Sequence, residues 1–138
     1  MKLVSYLNDG HDQLAFLVND LLFDTDMMHP ELPSSMNMFL NYWEENYAIA
    51  MQVNAAIESG RIARTNGRSL EEVQLLSPVP FPTSCRDGYA FRQHVEAARR
   101  GRKVPMIPEF DQFPIFYFTN HHSIQGPGDI VCMPDHFE

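Results

Sequence analysis

Two turn signals cut residues 2–24 into three short apolar runs, and that punctuation leaves a β-meander as the natural fold of the stretch. Residues 2–7 alternate apolar and polar side chains, the period of a half-buried strand. Asn8-Asp9-Gly10 follows, a trio that tolerates the positive φ of a tight hairpin. Residues 14–18 read as the second strand, and Asn19-Asp20 as a second tight turn into Leu21-Leu22-Phe23.

The period then changes. Pro30 and Pro33 punctuate the approach to a helical region, and Ser34 or Ser35 offers a hydroxyl to cap it. Met36, Leu40, Trp43, Tyr47, Ala50 and Ile57 recur at helical spacing and are expected to form the packing face of one helix or two short ones. Ser59-Gly60 closes the region, with Gly60 suited to a C-terminal cap. Residues 61–71 read as a polar connector and residues 73–76 as a short strand. Pro78, Pro80 and Pro82 break regular structure.

A domain boundary is expected near residue 72. It separates an N-terminal α+β domain, 1–71, from a second domain, 72–138. In the second, Ser84 is expected to start a helix, with Asp87 in capping-box position, running to about Arg100 and ending at Gly101. Residues 115–119 form a strand, Gly126-Pro127-Gly128-Asp129 a tight turn, and residues 130–133 another strand. The chain stops at Asp135-His136-Phe137-Glu138 without a terminal element, so a truncated chain is expected. The overall class is α+β.

Composition bounds the function. Hydrophobic residues make up 44% of the 138 and charged residues 20%, which is globular, and ten Phe, five Tyr and one Trp supply a core. A net charge of −8 repels phosphate backbones and argues against nucleic acid as a partner. The basic residues Arg99, Arg100, Arg102 and Lys103 cluster, however, and suit a small anion. No run approaches the ~20 apolar residues of a membrane span. The N-terminus turns polar too early for a signal peptide. A cytoplasmic protein is expected, with Cys85 and Cys132 as buried free thiols, since their spacing matches no metal site.

The residues with chemistry to offer lie in Arg86-Asp87-Gly88-Tyr89-Ala90-Phe91-Arg92-Gln93-His94. On one helix, Asp87 and His94 would share a face about 10 Å apart, at ~1.5 Å rise per residue. A carboxylate suits Mg²⁺ or Ca²⁺, and a neutral histidine suits general-base work. Spacing alone favours a capping aspartate and an ordinary histidine. Tyr117, in an apolar strand, suits orientation of a substrate oxygen or simple packing. His121 and His122 are adjacent in what reads as a strand and would point to opposite faces, which disfavours one shared ion with His136. Gly126-Pro127-Gly128 is a turn, without the Lys-Ser/Thr helix of a phosphate cradle.

These segments resemble the fumarylacetoacetate hydrolase family. The likeness is sharpest in Leu75-Leu76-Ser77-Pro78-Val79-Pro80, in residues 86–95, in Pro114-Ile115-Phe116-Tyr117-Phe118 and in Gly126-Pro127-Gly128-Asp129. It implies an N-terminal domain followed by the start of a β-rich, β-roll-type catalytic domain. It also implies cleavage of a carbon–carbon bond in a β-diketo acid by histidine-activated water, with a divalent metal, Mg²⁺ or Ca²⁺. By position, Asp87 matches a metal ligand, His94 the general base, and Tyr89 and Tyr117 substrate-contacting tyrosines. Arg102 is taken for the substrate carboxylate, although the spacing leaves Arg99 and Arg100 open. The resemblance further implies a homodimer and a small-molecule diketo-acid substrate. The family's main ligands, a Glu-x-Glu pair and a later Asp, are not in the sequence, so an incomplete, inactive portion of the enzyme is expected. The alternative is a non-catalytic binding or assembly module that retains this part of the fold.

Overall fold

The computed structural model describes residues 1–130 and 132. The meander is as expected: β1 is Leu3–Asn8, β2 His11–Val18 and β3 Leu21–Asp24, paired antiparallel in sequence order. Both turns are two-residue loops with positive φ throughout, 49° and 83° at Asp9-Gly10 and 49° and 62° at Asn19-Asp20. That backbone matches the right-handed twist of the flanking strands, which is why Asn, Asp and Gly stand there. A short helix α1 (Thr25–Met28) follows.

Residues 61–71, expected as a plain connector, contain a turn of 3₁₀ helix at Arg64–Asn66 and the strand β4 (Arg68–Ser69), which pairs with β3. The strand expected at 73–76 is β5 (Gln74–Leu75), paired with β1. The result is a curled five-stranded antiparallel sheet in the order β4-β3-β2-β1-β5. Its first face carries Leu14, Phe16 and Phe23 against the helical region, and its second carries Tyr6, Ala15 and Leu22 under Leu70, Val73 and Leu75. Both faces are covered, so β2 is buried on consecutive residues rather than alternately.

The helical region is two helices, α2 (Met36–Asn41) and α3 (Trp43–Glu58). Ser35 caps α2, its hydroxyl accepting from the Met38 amide at 3.4 Å. Ser59 and the positive-φ Gly60 close α3 as expected. The expected packing stripe is corrected in part. Met36, Ala50 and Ile57 are buried, but Leu40, Trp43 and Tyr47 are exposed. Tyr42 breaks the helix at φ −122°, ψ 51°, and resets the phase. The inward face of α3 becomes Asn46, Ala50, Val53, Asn54 and Ile57. Phe39, fully buried, anchors α2; burial of a side chain of that size contributes about 1.5–3 kcal/mol.

The proline segment is tied to the sheet. Ser5 Oγ donates to the Pro78 carbonyl at 3.1 Å, and the Leu76 amide to the Ser5 carbonyl at 2.9 Å. The chain divides into two compact units, Met1–Phe81 with Ile124–Glu138, and Pro82–Ser123. β5 thus lies beyond residue 72 and still belongs to the first sheet.

The second unit holds β6 (Cys85–Gly88), α4 (Arg92–Gly101) and β7 (Phe116–Thr119), with β6 and β7 paired antiparallel. The strand expected at 115–119 is present. The helix expected from Ser84 is not: residues 85–88 are strand, and α4 begins only at Arg92. Gly88 is a poor helix residue, and the backbone groups of β6 bond to an aromatic strand some thirty residues later, a non-local pairing that outweighs local propensity. Val95 is the one buried hydrophobic side chain among the described residues of this unit. The bend at Pro127-Gly128 fits the expected turn. Of the strand expected at 130–133, residues 130 and 132 lie in no strand, while residues 131 and 133 fall outside the described residues, as does His136.

Candidate functional site

The β6–β7 ladder positions three of the residues singled out in the sequence. Asp87 pairs directly with Tyr117, and opposed residues of an antiparallel ladder project to one face. Tyr89 stands two residues beyond Asp87, so it shares that face, and its amide extends the ladder by donating to the Ile115 carbonyl at 3.0 Å. The Tyr89 ring meets the Tyr117 ring edge-on, with centroids 6.4 Å apart, and meets Phe110 in the same way at 6.4 Å. The opposite face carries Arg86, whose guanidinium lies 5.5 Å from the Phe116 centroid and 5.4 Å from that of Phe118. Cation–π contact of this kind holds a long side chain flat on the sheet.

Asp87 and His94 lie on different elements, so the shared helical face is corrected. The N-cap position of α4 is Phe91, which removes helix capping as a role for Asp87. Asp87 and His94 are both exposed, and among the described residues neither side chain is in a hydrogen bond or ion pair.

Tyr89 also lines a cleft of about 620 Å³, with Arg86, Phe110, Asp111, Phe113 and Phe116 among its other walls. The volume is that of a small-molecule site. Asp87, His94, Tyr117 and Arg102 are not in its lining. One wall is pinned by Arg92, which bonds Glu96 at 2.8 Å and also Asp111, with its guanidinium 5.9 Å from the Phe110 centroid. The hydrogen bond to Asp111 raises the pKa of Arg92 first of all, and Glu96 adds to it. Phe110 and Asp111 were not singled out in the sequence, and Arg86 and Arg92 stood in the 86–94 segment without a role of their own.

The basic cluster divides. Arg99, Arg100 and Lys103 border a concavity of about 340 Å³ with Glu96, while Arg102 is outside its lining. Arg102 Nε donates to the Ala98 carbonyl at 3.3 Å, and Arg99 Nε to the Pro105 carbonyl. The first bond caps the end of α4, where positive side chains also favour the helix dipole, and the second ties the helix to the segment that follows it.

His121 and His122 are not in a strand. They form a 3₁₀ turn, His121–Ser123, with ring centroids 4.1 Å apart. Asn120 fixes the turn, accepting from the His122 amide at 3.0 Å and donating to Ser123 Oγ at 2.7 Å. Among the described residues no three His, Cys, Asp or Glu gather as a metal site. Asp87 is one carboxylate, whereas Mg²⁺ or Ca²⁺ takes about six or more oxygens, so the residues described do not by themselves fit that ion. Cys85 and Cys132 are free thiols as expected, but Cys85 is only half-buried and Cys132 is exposed. Among the described residues no helix is long and apolar enough to cross a membrane. No protein-family model matches the chain, and no curated protein matches it.

Proposed function

We propose that the chain carries the general base and one metal-ligating carboxylate of a fumarylacetoacetate-hydrolase-type enzyme acting on a β-diketo acid. In this reading β6, α4 and β7 belong to the start of the β-roll-type catalytic domain, and the meander with α2 and α3 to the N-terminal domain. The observation that carries the reading is the placement of Asp87, Tyr89 and Tyr117 on one face of the β6–β7 ladder. Three residues selected by sequence pattern alone share a surface that local sequence does not foretell.

The roles follow from their chemistry. His94, exposed, takes a proton from water; the hydroxide adds to a substrate carbonyl, and the carbon–carbon bond breaks to leave a carbanion that is then protonated. Tyr89 and Tyr117 present hydroxyls that hold the diketo oxygens, and Arg102 or its neighbours receive the terminal carboxylate. A divalent ion would supply charge stabilisation, with Asp87 as one of its ligands and the others from outside the described residues. In this reading the described residues alone lack the ligands for activity, and the functional partner is a second copy of the enzyme.

Hydrolysis of an acylpyruvate by the active enzyme, followed by loss of its enol absorbance, is the test. His94→Ala is expected to lower kcat about 10²–10⁴-fold with Mg²⁺ affinity retained. Asp87→Ala is expected to weaken Mg²⁺ binding. Equal and mild effects of the two substitutions sink the proposal and leave the binding-module alternative.

A further inference from the structure

The first unit has a groove of its own, lined by none of the residues given a catalytic or ligand-binding role above. The loop through Pro30, Glu31, Leu32 and Pro33 forms one side, and Met38, Tyr42, Glu45, Asn46 and Ile49 of the α2–α3 region form the other, around a volume of about 520 Å³. Its floor is apolar: Leu32 is buried, and Pro33 and Ile49 are half-buried. Its rim holds two exposed carboxylates, Glu31 and Glu45, with no lysine, arginine or histidine in the lining. Among the described residues neither carboxylate is ion-paired.

Asn46 adds an independent sign. It is 5% exposed, and its Nδ2 donates to the carbonyls of Phe39 at 3.0 Å and Met38 at 3.4 Å. Two carbonyl partners fix the amide orientation, because only the nitrogen can donate to them. Oδ1 is left as the acceptor that Asn46 offers, and among the described residues no donor reaches it. Tyr42, at the break between the helices, is 59% exposed and lines the groove together with Glu45.

We propose that this groove receives an arginine side chain from a partner peptide. Acceptors on both walls call for a guest rich in N–H donors and positively charged. The apolar floor calls for an alkyl stem, and the exposed tyrosine for a flat cation. A guanidinium has five donors in a planar fork and stacks on aromatic rings, whereas an ammonium is compact and strongly hydrated. The exposure of Met38 and Tyr42 leaves room for the residues that flank the arginine, which favours a chain segment over a free small molecule.

The test titrates Ac-Leu-Arg-Leu-NH₂ into the full chain while backbone amide shifts are followed by NMR. Saturable shifts are expected at Leu32, Tyr42, Asn46 and Ile49, with a Kd on the order of 1 mM. The lysine peptide is expected to bind about two- to threefold more weakly. Glu31→Gln and Glu45→Gln, both at exposed positions, are each expected to weaken binding about three- to fivefold. Equal binding of the glutamine peptide, shifts confined to other residues, or no shift at millimolar peptide overturns the proposal. Butylguanidinium binding as tightly as the peptide overturns the peptide assignment in favour of a small cation. Concentration-dependent shifts of the same amides without peptide overturn it in favour of a second copy.

Discussion

Asp87 lies directly opposite Tyr117 in the β6–β7 ladder, and this pairing puts it on the ladder face that carries Tyr89 and Tyr117 rather than at a helix end. The ladder is short, so the aromatic contacts carry much of its local order. Offset and edge-on aromatic pairs contribute about 0.5–1.5 kcal/mol beyond area burial. Tyr89→Leu and Tyr117→Leu in a double-mutant cycle are expected to show a coupling of that size. Hydrogen exchange at the Tyr89 amide, bonded to Ile115, reads it directly; additive effects would mean that the rings do not support each other.

Tyr6 makes the first unit sensitive to alkali. Its side chain is fully buried, and its hydroxyl donates to Asp24 Oδ1 at 2.7 Å. Burial, then the Asp24 hydrogen bond and charge, push the Tyr6 pKa well above the ordinary tyrosine value, with the Arg68 guanidinium opposing. The folded state therefore holds the phenol proton more tightly than the unfolded state. The stabilisation is fully present below the ordinary tyrosine pKa of about 10 and declines as pH rises beyond it. Tyr6→Phe is expected to cost about 1.5–3 kcal/mol at neutral pH, the range for a hydrogen bond to a charged group, and to flatten the decline above pH 10. Urea unfolding at pH 7 and at pH 10.5 checks both; an unchanged alkaline slope in Tyr6→Phe would assign the decline elsewhere.

Asn46 joins α3 to the end of α2. Its amide satisfies the Phe39 carbonyl, which lies where α2 has run out of helical partners. Asn46→Ala leaves that carbonyl unpaired, at an expected cost of about 1–3 kcal/mol. Trp43, half-exposed and stacked on Tyr47 at 4.9 Å, is the only tryptophan and reports this junction by fluorescence. A melting temperature within 1 °C of wild type, roughly the error of the measurement, would show that water replaces the amide without loss.

The legible parts of the fold are the local ones. Asp9-Gly10 and Asn19-Asp20 specify their turns through φ alone, and Ser35 and Gly60 end helices by the groups next to them. The phase of the apolar stripe was illegible because one residue, Tyr42, leaves helical geometry and rotates everything after it. The strand nature of Cys85–Gly88 was illegible because its partner is Phe116–Thr119, and a helical window over 84–100 contains no trace of it. The candidate site divides in the same way. Asp87, Tyr89, His94 and Tyr117 were legible as a pattern of residue types, but the pairing of Asp87 with Tyr117 was not. Phe110 was missed, and Arg86 was given no role within its segment, because what each does is a contact across the unit.

Gly126 gives the sharpest steric prediction. A Cβ built there would stand 2.5 Å from the Leu75 carbonyl oxygen and 2.6 Å from the Leu76 carbonyl carbon. Both are backbone atoms of a segment that β1 holds by the Leu76–Ser5 hydrogen bond, so neither is free to retreat. Gly126→Ala is therefore expected to destabilise the first unit by about 1–3 kcal/mol, as overpacking does, despite the usual entropic benefit of replacing glycine. Gly128→Ala has nothing within 4 Å of its Cβ, and its cost comes from its φ of 150° alone. The two differ in place as well as cause. Gly126→Ala is expected to speed hydrogen exchange of the Leu76 amide, and Gly128→Ala to leave that amide unchanged. Equal exchange at Leu76 in both variants would show that residue 126 does not press on the β5 strand.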